Sequence, residues 1–278
     1  MNRGMRDTDI HASAPLRRDV RVLILSSAGK DSAYAIWWAM LRGWDITGIV
    51  TVRTWSDESM MFQRSGTAMA GLQAAATGLP WLPVSQRQED GVESLEVAIR
   101  PIIEGADWPK SKAWTKTERE AANWPVKWRW PSDLDRLRPS VPCDAIISGA
   151  LRSDYQRTRL EQMAERLGVH SFSPLWHHDP EQHMRSFERH GFEVRIVSIS
   201  AEGLGERWLG RRIDDSAVDD LVSLNRINGI NIDGEGGEFE TVVTAAPWMS
   251  RSIGIDWIAD WNGQRGRIRI REAAILKN

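Results

Sequence analysis

Seven residues from Ser26 to Ser32, with the sequence SSAGKDS, join a run of apolar residues to a segment with helical spacing. Small residues at such a junction allow an anion to approach the backbone, and the amides at the start of a helix carry partial positive charge. The serines add hydroxyl donors, and Lys30 adds a point charge suited to phosphate. An acid beside phosphate is explained by a bridging Mg²⁺, so we assign Asp31 to that metal, with a plain helix N-cap as the alternative. The predicted phosphate ligands are Ser26, Ser27, Ala28, Gly29, Lys30 and Ser32.

The segments around this junction alternate between strand and helix patterns. Residues 20–27 are apolar on both faces, as expected of a central strand in a parallel sheet, and residues 32–42 follow with helical spacing. A second strand is predicted over residues 45–52, and further strand and helix patterns continue to residue 168. This alternation predicts an α/β fold, a doubly wound parallel sheet, in which ligands bind beyond the carboxyl ends of the strands.

The chain divides into a short extension and two predicted domains. Residues 1–19 carry charges but no apolar core, so we interpret them as a flexible extension and not as a secretory signal. Residues 20–175 form the predicted nucleotide-binding domain, and residues 176–278 a smaller C-terminal α+β domain that binds substrate. Between about 105 and 142 the alternation breaks in a Trp-rich insertion. Its tryptophans either pack against their own domain or form a surface for a partner.

The composition excludes several classes of protein. The net charge of −2 argues against a globally basic nucleic-acid binder, and no apolar stretch approaches the roughly 20 residues that span a bilayer. Cys143 is the only cysteine, which excludes a disulfide framework and a cysteine-rich zinc site. His177, His178 and His183 do not predict a metal site, because adjacent histidines rarely chelate one ion together. We expect a cytoplasmic protein.

A second candidate segment lies at the start of a predicted helix after residue 152. Ser153 and Gln156 have the spacing of a capping box, which places Tyr155 and Arg157 on the first helical turn. That turn follows a predicted strand at its ligand-facing end. We predict that all four side chains contact substrate. For Arg157 the alternative is a solvent-exposed helix face.

A third candidate segment has the sequence GEGGEFET and covers residues 234–241. On a strand, Glu238 and Glu240 would point to the same face, about 7 Å apart. Like charges on one face are costly unless a cation, a basic group or a substrate offsets them, so a site is favoured over a solvated strand edge. The remaining predicted substrate contacts in this segment are Glu235, Gly236, Gly237 and Thr241.

The junction at residues 26–32 resembles the PP-loop, S-G-G-x-D-S, of the ATP pyrophosphatases, which split ATP into AMP and pyrophosphate. With the later segments, the sequence is similar to the diphthamide synthetase family, the diphthine–ammonia ligases of archaea and eukaryotes. The similarity covers residues 20–250 apart from the insertion, and it is carried by SSAGKDS, SMMF, GALRSDYQRTRLE, SPLW, AEGLGERWLGRRID and GEGGEFET. Three positions depart from the family pattern: Ala28 replaces Gly, Gln63 replaces His and Ala245 replaces Asp.

The resemblance implies the ATP-dependent amidation of diphthine, a modified histidine of elongation factor 2, to diphthamide, with release of AMP and pyrophosphate. It implies that the PP-loop binds the pyrophosphate of ATP and that Lys30 and Asp31 take part in catalysis with Mg²⁺. Glu238 and Glu240 are expected to attract ammonium and take up its proton.

Two further expectations concern the contact with adenine and the source of the amide nitrogen. The backbone near Val50 and Thr51, at the end of the second predicted strand, is expected to meet adenine. A glutaminase would need its own cysteine nucleophile, and Cys143 lies just before a buried strand. Free ammonium is therefore the expected nitrogen donor.

Two other functions stay open on the sequence. A PP-loop enzyme that modifies tRNA would use the arginines within residues 152–166 for phosphate contacts, but the near-neutral charge argues against stable nucleic-acid binding. A non-catalytic ATP- or AMP-binding module would not need Lys30, Asp31 and the glutamates together. A homo-oligomer is compatible with the sequence, and no membrane partner is expected.

Overall fold

A computed structural model describes residues 20–53, 66–86, 91–106, 113–138 and 142–277. The first group of strands is β1 Arg21–Leu25, β2 Asp45–Arg53, β3 Trp81–Ser85, β4 Ala145–Ile147 and β5 His170–Phe172. The second group is β6 Glu193–Ile199, β7 Phe239–Ala245, β8 Ile253–Trp261 and β9 Gly266–Ile275. The helices are α1 Lys30–Leu41, α2 Thr67–Thr77, α3 Glu93–Ile103, α4 Lys116–Ala122, α5 Asp154–Leu167, α6 Pro180–Arg189 and α7 Asp215–Asn228.

The first five strands form a parallel sheet in the order β3-β2-β1-β4-β5. The chain starts at the central strand β1, moves to one edge through β2 and β3, and returns to β4 and β5 on the other side of β1. This is the doubly wound arrangement, and the predicted fold class is confirmed. The reversal of direction at β1 creates a crevice at the carboxyl ends of β1 and β4, where such sheets bind their ligands.

The last four strands form a smaller antiparallel sheet in the order β7-β6-β9-β8. Helices α6 and α7 accompany this sheet, which gives the expected α+β character to the C-terminal part. Strand β7 lies at one edge of the sheet, so one side of its backbone is available to another part of the chain. The division of the chain at residue 175 stays a prediction.

The hydrophobic core has two parts because β1 is buried on both faces. Leu23 and Leu25 belong to the part that contains α3 and α5. Val22 and Ile24 point to the opposite face, as alternate residues of a strand do. On that face they share one continuous core with α1, α2 and the antiparallel sheet. The two sheets are therefore joined by buried apolar side chains.

The described tryptophans of the insertion pack mainly against their own predicted domain, and Trp128 also donates through Nε1 to the Arg271 carbonyl of β9 at 3.2 Å. Trp81 of β3 is fully buried, and the rings of Trp114 and Trp124 lie 5.8 and 6.3 Å from it. Trp130 packs against both of these insertion rings, at 5.2 and 4.7 Å. This outcome agrees with the first of the two interpretations. Trp108 lies outside the described residues.

Several elements differ from the sequence-based expectation. Helix α4 lies inside the insertion, where no regular element was predicted, and a reciprocal capping box between Thr115 and Glu118 begins it. Helix α7 and the short strand β5 were not assigned either. The apolar run at residues 144–151 predicts a longer strand than β4, which ends at Ile147 before the chain approaches α1 at Gly149. Among the described residues, no helix has the length and apolar character needed to cross a membrane.

Candidate nucleotide-binding and ligation site

The loop between β1 and α1 turns sharply at Ala28, whose φ is +66°. L-residues rarely adopt this left-handed conformation, because Cβ then lies too close to the backbone. Gly29 is extended and forms the N-cap of α1 without a side-chain hydrogen bond. The first-turn amides of α1 have no partner within the helix itself, and Lys30 N among them donates to Thr241 Oγ1 instead.

Hydroxyl groups hold the shape of this loop. Ser26 Oγ accepts a hydrogen bond from Ala28 N at 3.1 Å and donates to Ser32 Oγ at 3.2 Å. Ser32 Oγ in turn donates to the Gly29 carbonyl at 3.1 Å, and Gly29 N donates to Ser27 Oγ at 3.4 Å. The serines predicted to bind phosphate therefore also pre-form the loop.

Strand β7 lies directly on the loop. Val243 N donates to the Ala28 carbonyl at 3.0 Å, and Thr241 Oγ1 accepts from Lys30 N at 3.1 Å. The fully buried Gln73 of α2 donates through Nε2 to both the Ala28 and the Val243 carbonyls, at 3.0 and 2.7 Å. Thr241, predicted to contact substrate, thus lies against the loop before α1.

Lys30 and Asp31 form an ion pair at the start of α1, with 2.7 Å between Lys30 Nζ and Asp31 Oδ2. The other carboxylate oxygen, Oδ1, lies 2.8 Å from His183 Nε2 on α6. Burial opposes ionisation of Asp31, but the charge of Lys30 and the hydrogen bond from His183 outweigh it, so the pKa of Asp31 lies below its usual value. The side chain is therefore a carboxylate at neutral pH.

Gly149, after β4, brings a second segment against the start of α1. A Cβ built at this glycine would lie 2.7 Å from the Asp31 carbonyl carbon and from Ser32 N. A side chain at this position would force the two segments apart. The first glycine of the GALRSDYQ segment is thus explained by its close approach to the loop.

Arg152 ties the third candidate segment to this crevice. Its Nη1 lies 2.7 Å from Oδ2 of Asp233, whose side chain is 1% exposed. Its backbone N donates to Glu235 Oε1 at 3.2 Å. Burial raises the pKa of Glu235, and the charges of Asp31 and Asp233 act in the same direction against the hydrogen bond from Arg152. Glu235 therefore holds a proton more readily than an ordinary glutamate.

The other two glutamates of the segment have different surroundings. Glu238 precedes β7, which begins at Phe239, and its Oε1 accepts from the backbone N and the side-chain Nδ2 of Asn231, at 2.9 and 2.7 Å. Its Oε2 is buried with no hydrogen-bond partner among the described residues. Glu240 lies within β7 opposite Ser198. The glycines Gly236 and Gly237 form the exposed turn before the strand.

The N-cap predicted at Ser153 is present at the start of α5, although the side chains of this first turn face in different directions. Ser153 is the N-cap and accepts from Gln156 N at 3.3 Å. Tyr155 is exposed and accepts a hydrogen bond from Arg159, while Arg157 pairs with Glu161 at 2.7 Å. The guanidinium of Arg157 also lies 4.6 Å from the centre of the Trp176 ring. Substrate contacts by these side chains stay a prediction.

Val50 and Thr51 lie inside β2, which extends to Arg53. The Val50 carbonyl accepts from Ser26 N at 2.9 Å, and Thr51 Oγ1 accepts from Trp81 Nε1 at 3.0 Å. Both side chains are buried, so these residues fix the strand beside the loop. Their predicted contact with adenine has no direct support in these hydrogen bonds and stays a prediction.

Asp31 suits a magnesium ion that arrives with a nucleotide. No group of three potential metal-ligating side chains occurs among the described residues, so this part of the chain offers no complete protein cage. Mg²⁺ is usually held by one or two carboxylates together with substrate phosphates and water. An ionised carboxylate at the end of an anion-binding loop fits that donor set.

Two family models match most of the described chain. The model of the diphthamide synthase N-terminal domain matches residues 20–106, and that of the C-terminal domain matches residues 179–276. The chain belongs to the diphthamide synthase family. The resemblance noted in the sequence is thereby confirmed, and the family models cover both the loop at the start of α1 and the glutamate segment before β7.

Similar proteins of the diphthamide synthase family come from animals and fungi. The diphthine–ammonia ligase of Homo sapiens is 28% identical over 249 residues, which is 85% of this chain and 83% of that protein. The diphthine–ammonia ligase of Danio rerio is 27% identical over 248 residues, or 85% of this chain and 87% of that protein. The one from Schizosaccharomyces pombe is 28% identical over 243 residues, which is 84% of this chain but 36% of that longer protein.

Four polar residues of the site were not given a role there by the sequence, although His183 was considered as a metal ligand and set aside. Arg152, Asp233 and Gln73 connect the loop, the α5 segment and the β7 segment, and His183 contacts Asp31. Arg152 and Asp233 stand next to predicted segments, so proximity along the chain was a usable signal. Gln73 and His183 lie on helices remote in sequence, and only the fold of this diphthamide synthase family member brings them to the loop.

Proposed function

We propose that this protein catalyses the ATP-dependent amidation of diphthine on elongation factor 2, with ammonium as the nitrogen donor and with AMP and pyrophosphate as products. The observation that carries the proposal is the contact between the PP-loop and β7. It brings Lys30 and Asp31, suited to phosphate and Mg²⁺, into one crevice with the carboxyl groups around Glu235. Membership of the diphthamide synthase family supports the same reaction.

The reaction divides into an activation and a transfer step. A carboxylate oxygen of diphthine attacks the α-phosphorus of ATP, the bond to the bridging oxygen breaks, and pyrophosphate leaves with that electron pair. The resulting acyl-adenylate has AMP as a good leaving group. Ammonia then attacks the carbonyl carbon, AMP leaves, and the nitrogen loses a proton to give the neutral amide.

The PP-loop binds and stabilises the leaving pyrophosphate in this scheme. The partial positive charge at the N-terminus of α1 and the charge of Lys30 would stabilise the negative charge that develops as the α–β bond breaks. Lys30 Nζ is 2.7 Å from Asp31 Oδ2 in this structure, so Lys30 reaches phosphate either by sharing its three N–H donors or by leaving this ion pair. Mg²⁺, held by Asp31 and the phosphates, would neutralise further charge on the leaving group.

The acidic segment is proposed to receive ammonium. Ammonium must lose a proton before it attacks, so a nearby carboxylate is needed to accept that proton. Glu238 and Glu240 are proposed to attract the cation, and Glu235, whose pKa is raised by burial, is proposed to accept its proton. Burial raises the pKa of Cys143 to about 11, which leaves this thiol unsuited to releasing ammonia from glutamine. Because elongation takes place in the cytoplasm, we expect the reaction there.

The proposal is tested by incubating the protein with diphthine-bearing elongation factor 2, Mg·ATP and ammonium chloride. We expect stoichiometric AMP and pyrophosphate, and mass spectrometry of the factor should show replacement of the carboxyl hydroxyl by an amino group. The variant Asp31→Asn should lose at least about a hundredfold in rate, because a metal-binding carboxylate is neutralised. Asp215→Asn is the matched control, since Asp215 is an exposed acidic residue in the first turn of α7, outside the candidate site.

Two results would contradict the proposal. One is release of ADP in place of AMP, which would mean that the terminal phosphate is transferred. The other is the absence of amide on a factor shown to carry diphthine, with the enzyme folded and ammonium in excess.

A further inference from the structure

His183 is a buried polar residue that the proposed reaction does not use. It lies in the first turns of α6, and its side chain is 1% exposed. Its ring packs against aromatic neighbours, with centroid distances of 5.3 Å to Tyr34 and 4.8 Å to Phe187. An apolar side chain would suit these surroundings better than imidazole, so packing alone does not account for a histidine here.

The hydrogen bonds of His183 point to a single purpose. Nε2 lies 2.8 Å from Asp31 Oδ1, and Nδ1 is buried without a hydrogen-bond partner among the described residues. A carboxylate can only accept hydrogen bonds, so Nε2 carries the proton and donates it to Asp31. The contact with Asp31 is thus the polar interaction that the structure gives this ring, and it spans 152 positions of the chain.

The geometry around Asp31 divides its two oxygens between two donors. Oδ1 receives the hydrogen bond from His183, and Oδ2 pairs with Lys30 Nζ at 2.7 Å. When Lys30 turns toward phosphate, Oδ2 is released while Oδ1 stays bound to a rigid, packed ring. The carboxylate then keeps its orientation without the lysine.

We propose that His183 is a positioning residue that fixes the orientation of Asp31, so that Oδ2 faces the magnesium ion of bound Mg·ATP. This inference rests on the proposed function for the role of Mg·ATP and adds a residue to it. Outer hydrogen-bond partners of metal-binding groups typically change metal affinity by about 10–100-fold when they are removed. The histidine acts through Asp31 and touches neither the nucleotide nor the reacting atoms in this scheme.

The test measures nucleotide affinity, not turnover. Calorimetry with α,β-methylene-ATP, which cannot be cleaved between the α- and β-phosphates, is performed with Mg²⁺ and with EDTA. For His183→Leu we expect the affinity with Mg²⁺ to fall about tenfold, while the affinity in EDTA changes less than about twofold. His190→Leu is the matched control, because its ring also packs against Tyr34 but makes no contact with Asp31.

A pair of polar variants separates orientation from packing. His183→Gln places an amide N–H near the position of Nε2, whereas the shorter His183→Asn places it near Nδ1. We expect the glutamine variant to retain most of the Mg²⁺-dependent affinity and the asparagine variant to resemble the leucine variant. The glutamine and asparagine variants also test the role of His183 if the His183→Leu variant does not fold.

The outcomes distinguish this inference from the proposed function. Wild-type Mg²⁺ dependence in His183→Leu or His183→Asn would overturn the positioning role. Absence of nucleotide binding by the wild-type protein would overturn both proposals. If the wild type binds the analogue and the variants behave as expected, but no amide forms on elongation factor 2, only the proposed reaction is overturned.

Discussion

Ala28 is the residue at which the loop departs from the glycine of the PP-loop pattern. Its φ of +66° costs a residue with Cβ about 1–2 kcal/mol compared with a right-handed conformation. Its methyl group is fully buried, which offsets about 0.8 kcal/mol of that cost. The alanine is therefore tolerated because its single methyl group is small and packed.

Two substitutions at this residue should have very different effects on stability. Ala28→Gly relieves the strain but loses the buried methyl group and gains unfolded-state entropy, so we expect a change within about 1 kcal/mol. Ala28→Val adds a branched side chain in the same conformation and should lose more than about 2 kcal/mol. Urea unfolding of both variants measures these differences. Equal stability of the two would mean that the turn at Ala28 is not held in the left-handed region.

Asp31 and Glu235 should respond to pH in opposite directions. The lowered pKa of Asp31 contributes stability above its unfolded value of 3.8, and that contribution is lost as pH falls through the folded pKa. The raised pKa of Glu235 contributes stability below pH 4.5, its unfolded pKa, and that contribution is lost as pH rises through the folded pKa. At neutral pH the ionised Glu235 is therefore less stable in the fold than a neutral group.

We expect Glu235→Gln to be more stable than the wild type at neutral pH, with the advantage shrinking as pH falls toward 4.5. Asp31→Asn should be less stable at neutral pH, and its deficit should shrink as pH falls below 3.8. Urea unfolding across a pH series gives both comparisons. If the free energy of unfolding varied with pH in parallel for the variants and the wild type, the fold would shift the pKa of neither carboxyl group.

At the scale of elements, strand β7 has two structural roles. Its inner side pairs with β6 along most of its length, and its outer side meets the loop before α1 through Thr241 and Val243. An exposed strand edge would be prone to pair with other chains, and here the loop and Gln73 cover part of it. The candidate nucleotide site and the antiparallel sheet consequently depend on each other for their shape.

Removal of the Thr241 hydroxyl tests this dependence. Thr241→Val has nearly the same volume but leaves Lys30 N without its acceptor, so we expect a loss of about 1–3 kcal/mol in the free energy of unfolding. Thr241→Ser keeps the oxygen and should lose less than about 1 kcal/mol. Scanning calorimetry of the valine variant with a bound nucleotide analogue should show part of the lost unfolding free energy restored. A phosphate oxygen can accept a hydrogen bond from the same Lys30 amide. Equal effects of valine and serine would show that the hydroxyl does not support the loop.

The sequence predicted elements well where local signals were strong. The strand–helix junction at Ser26 to Ser32 and the N-cap at Ser153 are both present, because they depend on neighbours within a few positions. Helix α4 was missed since tryptophans and prolines obscured its short capping box. The hydrogen bond between His183 and Asp31 could not be found by spacing, because it depends on how α6 packs against α1.

At the scale of the molecule, the two sheets share one buried core. Trp248 donates through Nε1 to the Ala33 carbonyl at 3.0 Å, and Ser250 donates to the Ala76 carbonyl through both its N and its Oγ. Apolar residues of α1 and α2 pack between the parallel sheet and the antiparallel sheet. Removal of one sheet would expose that layer to water, and this exposure costs roughly 25 cal/mol of folding free energy for each Å² of apolar surface.

We therefore expect residues 20–175 alone to fail as an independent folding unit, despite their complete parallel sheet. The fragment should bind a hydrophobic dye and unfold without a cooperative transition, because the faces of α1 and α2 that meet the antiparallel sheet are uncovered. Residues 20–278 are the control, and their unfolding should give coincident transitions by tryptophan fluorescence and far-ultraviolet circular dichroism. Cooperative unfolding of the fragment with little dye binding would show instead that the first sheet is an autonomous domain. In that case the contact of β7 with the loop would be a docking of two pre-formed units, and nucleotide affinity would survive in the fragment.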